Sequence, residues 1–128
     1  MRKYFVISIM LLFTLIIAGC GSSTNESTTT AITTTELEQR MKDKPDSIYI
    51  DVRELNEFSE GHIEGMINMP LSTLESNYKE LPLDKEIVVI CRSGARRMQA
   101  INILETKGYE KLVNVEGGML DWKGEIVK

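Results

Sequence analysis

The feature that most constrains the fold is the apolar run "EIVVIC" (86–91), which is followed by a cationic glycine loop and then by a helical pattern. A run that is apolar at successive positions, rather than at alternate ones, is typical of a parallel strand buried on both faces. The stretch "RRMQAINILETKG" (96–108) spaces its apolar residues helically and ends in a glycine suited to a helix C-terminus. The centre of the chain is therefore predicted to be a strand–loop–helix unit.

Further strands and helices are predicted to alternate along the chain. Three more short apolar runs favour strands, and these lie at 47–52, 66–70 and 111–115. Helical patterns precede or separate them, one beginning with a predicted capping box at Thr35 and others at 54–60 and 72–81. Alternation of this kind indicates parallel βαβ units in a three-layer α/β domain.

The N-terminus has the layout of a secretory signal. "MRK" precedes an apolar run, 4–19, that is too short to span a bilayer comfortably, since a span needs roughly 20 apolar residues. The sequence "IAGC" (17–20) resembles the lipobox of bacterial lipoproteins. That resemblance implies cleavage after residue 19, lipidation of Cys20, and an envelope protein anchored to the membrane with its domain on the extracytoplasmic side.

The next segment predicts a tether. Residues 20–34 are rich in Ser and Thr and carry too few large apolar groups to offset the entropy of ordering. The folded domain is therefore expected at 35–128. Without the predicted signal the chain keeps 13 basic and 19 acidic residues, a net charge of −6. This acidic balance argues against a nucleic-acid partner.

Cysteine usage narrows the chemistry. The sequence holds two cysteines and one histidine, and the predicted lipobox uses Cys20, so Cys91 has no disulfide partner in the mature chain. A multi-cysteine metal site is excluded for the same reason, and no metal or cofactor is predicted. Cys91 is then either a buried, hydrophobe-like residue that ends the strand or a reactive thiol.

The residues after Cys91 favour the reactive thiol. Open parallel sheets bind ligands at the carboxyl ends of their strands, and a helix N-terminus presents unpaired N–H groups and a positive dipole end. Gly94 lets the backbone wrap around an anion, and Arg92, Arg96 and Arg97 add positive potential. Arginine is unfavourable at a helix N-terminus unless an anion relieves the conflict. The pattern predicts a thiolate beside an anion pocket.

Three segments resemble the rhodanese-like domain family: "DVRELNEFSEGHIEGMINMP" (51–70), "CRSGAR" (91–96) and "NVEGGMLDW" (114–122). The resemblance implies a rhodanese-like fold, with a five-stranded parallel sheet flanked by helices. It implies a sulfurtransferase in which Cys91 carries a persulfide. The loop residues implied to bind the anionic donor are Arg92, Ser93, Gly94, Ala95 and Arg96.

The same resemblance indicates partners and supporting residues. The donor would be thiosulfate or a similar sulfane sulfur compound, and the acceptor would be cyanide in the test tube or a thiol or protein in cells. Asp51 and Arg53 would brace the loop and the neighbouring turns. The domain is expected to act as a monomer, and neither the physiological donor nor the acceptor is given by the sequence.

Two other functions remain open at this stage. Many relatives carry Ser where this chain has Arg97, and Ala where it has Met66. Arg97 completes a C-x5-R pattern, so the chain also fits a cysteine-dependent phosphatase or arsenate reductase. The number of residues from Cys91 to Gly108 resembles that of ordinary rhodaneses, with no insertion. This similarity favours a six-residue loop, 91–96, and sulfur transfer. The second alternative to sulfur transfer is a non-catalytic module that binds anions or a partner.

Several other polar and aromatic residues are expected to be structural. Glu57, Phe58 and His62 are predicted to pack and to form hydrogen bonds, and Trp122 is predicted to lie in the core or at a pocket rim. The sequence Glu116–Gly118 is predicted to form a tight turn near the active edge of the sheet.

Overall fold

A computed structural model describes residues 29–128 of the chain. The predicted signal at 1–19, Cys20 and most of the predicted tether lie outside the described residues. Among the helices of the described part, none is both long enough and apolar enough to cross a membrane.

Five parallel strands form one sheet. The strands are β1 (Thr30–Ile32), β2 (Ile48–Asp51), β3 (Ile67–Asn68), β4 (Ile87–Ile90) and β5 (Leu112–Val115). Their order across the sheet is β1-β5-β4-β2-β3, and every neighbouring pair is parallel. The three-layer α/β fold expected from the sequence is therefore present.

Helices connect the strands and cover both faces. They are α1 (Thr34–Asp43), α2 (Leu55–Glu60), α3 (Leu71–Asn77), α4 (Ala95–Thr106) and α5 (Gly118–Asp121). A short 3-10 helix, Tyr78–Glu80, continues α3. Two predicted helix ends are confirmed, because Gly61 follows α2 and Gly108, with a φ of +94°, follows α4.

The apolar sequence of β4 follows from its position at the centre of the sheet. All four of its residues are buried. Ile87 and Val89 pack into a core cluster with α3 and α4, whereas Val88 and Ile90 pack into a second cluster with α1 on the other face. A central parallel strand must present apolar side chains to both faces. Cys91 continues the first set and faces the α4 side.

The predicted domain boundary needs a correction. Residues 30–34 were assigned to the tether, but Thr30–Ile32 pairs with β5 as the edge strand, and Ile32 is buried. Composition could not reveal this strand because three residues with one large apolar side chain resemble a polar linker. The strand is fixed by its partner β5, not by its own sequence.

The first helix cap is also shifted. The capping box was predicted at Thr35, but the structure forms it from Thr33 and Glu36. The Thr33 side chain accepts a hydrogen bond from the Glu36 N–H at 3.2 Å, and the Glu36 carboxylate accepts one from the Thr33 N–H at 2.7 Å. Three consecutive threonines offer several registers, and the position of β1 selects the first.

Candidate active site

Cys91 lies at the carboxyl end of the central strand, immediately after β4. The residue is 1% exposed, and it packs in the core cluster on the α4 side. It is the free cysteine of the described residues. Cys91 therefore ends a buried strand, which is one of the two interpretations of the sequence. It also lies at the edge where parallel sheets bind ligands, which is required by the other.

The loop after Cys91 leaves a row of backbone donors unused. Helix α4 begins at Ala95 with Gly94 as its N-cap, so no side chain caps this end of the helix. Within residues 29–128, the backbone N–H groups of 92–97 have no acceptor in hydrogen-bond reach. Such a row of unpaired donors at a helix start is suited to an anion. The predicted six-residue loop thus combines four irregular residues, 91–94, with the first two helical residues.

The carbonyl groups at the start of the loop are held from the outside by α5. The Met119 N–H donates to the Cys91 carbonyl at 2.9 Å, and the Leu120 N–H donates to the Arg92 carbonyl at 3.1 Å. These two N–H groups lie at the start of α5, where they have no partner within the helix, so the carbonyls of the loop accept their hydrogen bonds instead. This close approach requires Gly118, because a Cβ there would lie 2.5 Å from both carbonyl oxygens.

The turn before α5 was predicted to be tight and to lie near the active edge. Both points are confirmed, because Gly117 and Gly118 have φ angles of +79° and +62° and Gly118 touches the Cys91 loop. Left-handed angles of this kind are easily adopted only by glycine. The double glycine is therefore a requirement of the loop contact as well as of the turn.

Arg96 is held by an ion pair with Glu57 of α2. The two side chains form paired hydrogen bonds, of which the Nη2–Oε1 contact measures 2.8 Å. The hydrogen bond from Arg96 lowers the pKa of Glu57 from 4.5 to about 2. The same bond raises the pKa of Arg96, and the nearby Cys91 side chain adds a smaller contribution of the same sign. Arg96, five residues after Cys91 along the chain, is thus a cation whose position is fixed by an ion pair.

Arg97 does not line the loop in the same way. It is the third residue of α4, as the six-residue loop predicted. Its Nε donates to the Asn114 side-chain oxygen, and its Nη1 donates to the Ser93 carbonyl at 3.1 Å. The guanidinium therefore links β5 to the backbone of the Cys91 loop.

Asp51 and Arg53 form a buried pair one strand away. The Arg53 Nη2 donates to the Asp51 carboxylate at 2.7 Å and to the Gly61 carbonyl at 2.9 Å. Asn68 donates to the backbone carbonyls of both residues. This network ties the end of β2 to the turn after α2, and neither residue forms a hydrogen bond to the Cys91 loop within the described part of the chain.

A cleft of about 480 Å³ opens beside the loop. Its polar lining residues include Arg92, Arg53 and Glu57, and its apolar lining residues are Met119, Leu120, Trp122 and Ile126. Arg92 is exposed, and its side chain has no partner among residues 29–128. Trp122 lines the cleft, packs against the second core cluster, and donates from its indole N–H to the Glu125 carbonyl at 3.0 Å. The cleft thus combines one free cation with an apolar wall.

The predicted site residues fall into two groups in the structure. Cys91 and the loop residues Arg92, Ser93, Gly94, Ala95 and Arg96 run from the end of β4 into the first turn of α4, Arg97 follows them in α4, and Asp51 and Arg53 form a pair that is bonded to the turn after α2. His62 stacks on Phe58 with ring centroids 3.7 Å apart, as expected of a packing residue. Within residues 29–128, no cluster of three His, Cys, Asp or Glu residues could hold a metal ion.

Sequence reasoning missed three residues of this site. Glu57 was predicted to pack and to form hydrogen bonds, but not with Arg96. Asn114 was predicted only as part of a strand, and Gly118 only as part of a turn. A polar residue inside the buried strand "LVNV" was a usable signal for Asn114, because a buried amide needs a partner. Glu57 offered no such signal, since exposed acids are common in short helices.

Comparison with known proteins identifies the family. The sequence model of the rhodanese-like domain matches residues 33–125. This chain belongs to the rhodanese-like domain family. A sulfurtransferase of Allochromatium vinosum is 35% identical over 86 residues, which cover 67% of this chain and 80% of that protein.

Two further matches agree with this assignment. The Bacillus subtilis protein named "Putative sulfur carrier protein YrkF" is 35% identical over 107 residues, which cover 84% of this chain but only 58% of that longer protein. The crystal structure of a rhodanese-related protein from Thermoplasma volcanium is similar with a TM-score of 0.68 at 34% identity, covering 77% of this chain and 97% of the other. The rhodanese-like fold is therefore shared.

Proposed function

We propose that this rhodanese-like protein is a sulfurtransferase in which Cys91 carries the transferred sulfur. The observation that carries the proposal is the row of unpaired N–H groups that follows Cys91 at the start of α4. Donors fixed in this way stabilise a sulfur anion without reorganisation during the reaction. The names of two relatives, a sulfurtransferase and a sulfur carrier, support the same chemistry.

The reaction would proceed in two displacements. The Cys91 thiolate attacks the outer sulfur of thiosulfate, the S–S bond of the donor breaks, and sulfite leaves with the electron pair of that bond. Cys91 then holds a persulfide. An acceptor nucleophile, cyanide or a thiolate, attacks the outer sulfur, the Cys–S–S bond breaks, and the Cys91 thiolate is regenerated.

The loop residues have distinct roles in this scheme. The N–H groups of 92–96 stabilise the thiolate, the persulfide anion and the donor, and Arg96 adds a fixed positive charge near Cys91. Arg92 is free to meet the anionic donor at the mouth of the cleft. The burial of Cys91 favours small donors whose terminal sulfur can enter the loop.

The position of Arg97 favours sulfur transfer over phosphate or arsenate chemistry. A phosphatase with the C-x5-R pattern needs its arginine on the substrate oxyanion. Here the Arg97 guanidinium donates to the side chain of Asn114 and to the carbonyl of Ser93. The alternative of a non-catalytic module would leave the loop and cleft as a binding site only.

The decisive experiment is a thiosulfate:cyanide assay with Cys91→Ser as the matched variant. We expect thiocyanate formation by the wild type, none above background by Cys91→Ser, and one extra sulfur atom on the Cys91 peptide by mass spectrometry. Equal behaviour of the two proteins would overturn the proposal. Hydrolysis of an aryl phosphate that requires both Cys91 and Arg97 would favour the phosphatase instead.

Envelope attachment remains a proposal from the sequence. We expect the precursor to be cleaved before Cys20 and a fatty acid to be attached to this residue. Metabolic labelling with a radioactive fatty acid tests it, with Cys20→Ala as the control. Equal label on both proteins, or label on neither, would argue against the anchor.

A further inference from the structure

Three successive carbonyl groups of the Cys91 loop are each bonded from outside the loop. The carbonyl of Cys91 accepts from the Met119 N–H, that of Arg92 accepts from the Leu120 N–H, and that of Ser93 accepts from the Arg97 side chain. The described residues contain no cis peptide bond. In a trans peptide the C=O and the following N–H point in opposite directions. Each of these bonds therefore directs the next N–H group along the chain away from the donor that the carbonyl accepts from.

The third of these bonds differs from the first two. The first two come from backbone donors of α5, so they depend on the turn and on Gly118. The third comes from a side chain alone, since the Arg97 Nη1 lies 3.1 Å from the Ser93 oxygen. The N–H group that it orients belongs to Gly94, the residue directly before the start of α4.

Arg97 is itself held in place by β5. Asn114 is 8% exposed in a strand whose other three residues are apolar, and its side-chain oxygen accepts from the Arg97 Nε. The guanidinium also lies across Gly94, where a Cβ would come within 2.8 Å of Nη1. A buried amide of this kind would cost free energy without its partner. The pair therefore links the sheet to the backbone of the loop.

We propose that Arg97 is a positioning residue, held by Asn114, that turns the Gly94 N–H toward the sulfur anion. This inference rests on the proposed sulfur transfer and assigns to Arg97 a role outside the anion pocket. It accounts for an arginine at a site that also carries two others. The competing explanation is that Arg97 acts only through its positive charge, which would attract an anionic donor from any orientation.

Two substitutions of Asn114 separate these explanations, because they predict opposite results. Asn114→Leu keeps all charges but removes the acceptor for Arg97, whereas Asn114→Asp keeps an oxygen at the same place and adds a negative charge. Positioning predicts a roughly tenfold loss in kcat/KM for thiosulfate with Leu and rescue with Asp, since a hydrogen bond to a charged group is lost only in the first. A pure charge effect predicts no change with Leu and a loss with Asp.

Two further variants test the same linkage. Arg97→Met removes the guanidinium itself, and Lys85→Met is its control for the loss of one positive charge. Lys85 is exposed near the opposite edge of the sheet, before the start of β4, so its loss controls for net charge. Arg97→Met should lose as much as Asn114→Leu, and the double variant should lose no more than either alone, because both break one linkage. Urea unfolding of each variant identifies any loss that follows from unfolding.

A second readout does not require sulfur transfer. The rate of Cys91 alkylation by anionic iodoacetate, divided by the rate with neutral iodoacetamide, reports how well the loop receives an anion. We expect Asn114→Leu to lower this ratio about tenfold and Asn114→Asp to retain it. A wild-type ratio in Asn114→Leu overturns the inference and leaves the proposed function standing. A wild type without sulfur transfer defeats the proposed function, and the ratio still tests the positioning role.

Discussion

The N-termini of α1 and α4 meet the same requirement in opposite ways. Every helix begins with four N–H groups that lack intrahelical partners. At α1, Thr33 and Glu36 satisfy two of them and place an acid in the first turn. At α4, the N-cap is Gly94, the first turn carries Arg96 and Arg97, and the N–H groups find no acceptor among residues 29–128.

This difference separates a structural helix start from a functional one. The first turn of α1 suits the helix dipole, whereas the arginines of α4 oppose it. The side chains of these arginines have partners on other elements, since Arg96 donates to Glu57 and Arg97 donates to Asn114. The backbone donors of α4 remain open for a ligand, which is the arrangement expected of an anion site.

The largest effect is expected from breaking the contact that holds the loop before α4. Gly118→Ala adds a Cβ that would lie 2.5 Å from two backbone oxygens at a φ of +62°. We expect a loss of at least roughly 3 kcal/mol in the free energy of unfolding, since neither backbone can move away cheaply. Urea unfolding measures this loss, and sulfur transfer should disappear with it.

Gly108→Ala is the matched control for this change. Gly108 has a φ of +94°, but a Cβ there would meet nothing within 4 Å. Only the backbone strain remains, which costs about 1 to 2 kcal/mol. Equal losses at both positions would show that the carbonyl contact of Gly118 contributes nothing.

A second prediction concerns the open donors of α4. Thiosulfate should stabilise the inactive Cys91→Ser variant by about 1.4 kcal/mol at ten times its dissociation constant. Thermal unfolding, with the dissociation constant from calorimetry, checks this value. Arg92→Gln should weaken the binding several-fold, whereas Thr33→Ala should leave it unchanged. If chloride at equal ionic strength stabilised the variant as much as thiosulfate does, the effect would be nonspecific screening of charge and not binding to these donors.

The cap of α1 gives the third prediction. Thr33→Ala removes the acceptor for the Glu36 N–H, and the expected loss is about 1 kcal/mol in the free energy of unfolding. Thr35→Ala is the matched control, because Thr35 lies inside α1 and alanine is a good helix former. Denaturant unfolding distinguishes the two. If Thr35→Ala were the more damaging change, the cap would lie where the sequence first placed it.

The smallest effect is expected from the ion pair beside the loop. Because the pKa of Glu57 falls from 4.5 to about 2 in the folded protein, its contribution is fully present above pH 4.5 and is lost as the pH falls toward 2. Glu57→Gln should therefore flatten the fall in stability over this range, by less than about 1 kcal/mol for a partly exposed pair. Chemical unfolding at a series of pH values measures the difference.

Glu86 supplies the control at the other edge of the sheet. Its pKa is also lowered, chiefly by a hydrogen bond from Arg40. Glu86→Gln should likewise flatten the fall in stability toward low pH but leave sulfur transfer intact, whereas Glu57→Gln should lower the transfer rate. Equal transfer rates in the two variants would remove Glu57 from the support of the loop.

The central strand–loop–helix unit of this protein can be predicted from the order of its residues. The apolar residues 87–91 had to be buried on both faces, and the glycine loop and helical pattern after them placed Cys91 at the ligand edge of a parallel sheet. The family resemblance at 51–70, 91–96 and 114–122 then indicated the fold, which the structure shares. These properties are local in the chain or repeat along it, so they can be read without tertiary contacts.

Other features depend on residues that are distant in the sequence, and these features appear only in the folded chain. Strand β1 exists because β5 offers it an edge, and the cap at Thr33 follows from where that strand ends. Arg96 and Arg97 look equivalent in the sequence, yet one pairs with Glu57 on α2 and the other with Asn114 on β5. A cation has no preferred partner until folding brings an acceptor within hydrogen-bond distance, which is why their different roles could not be predicted.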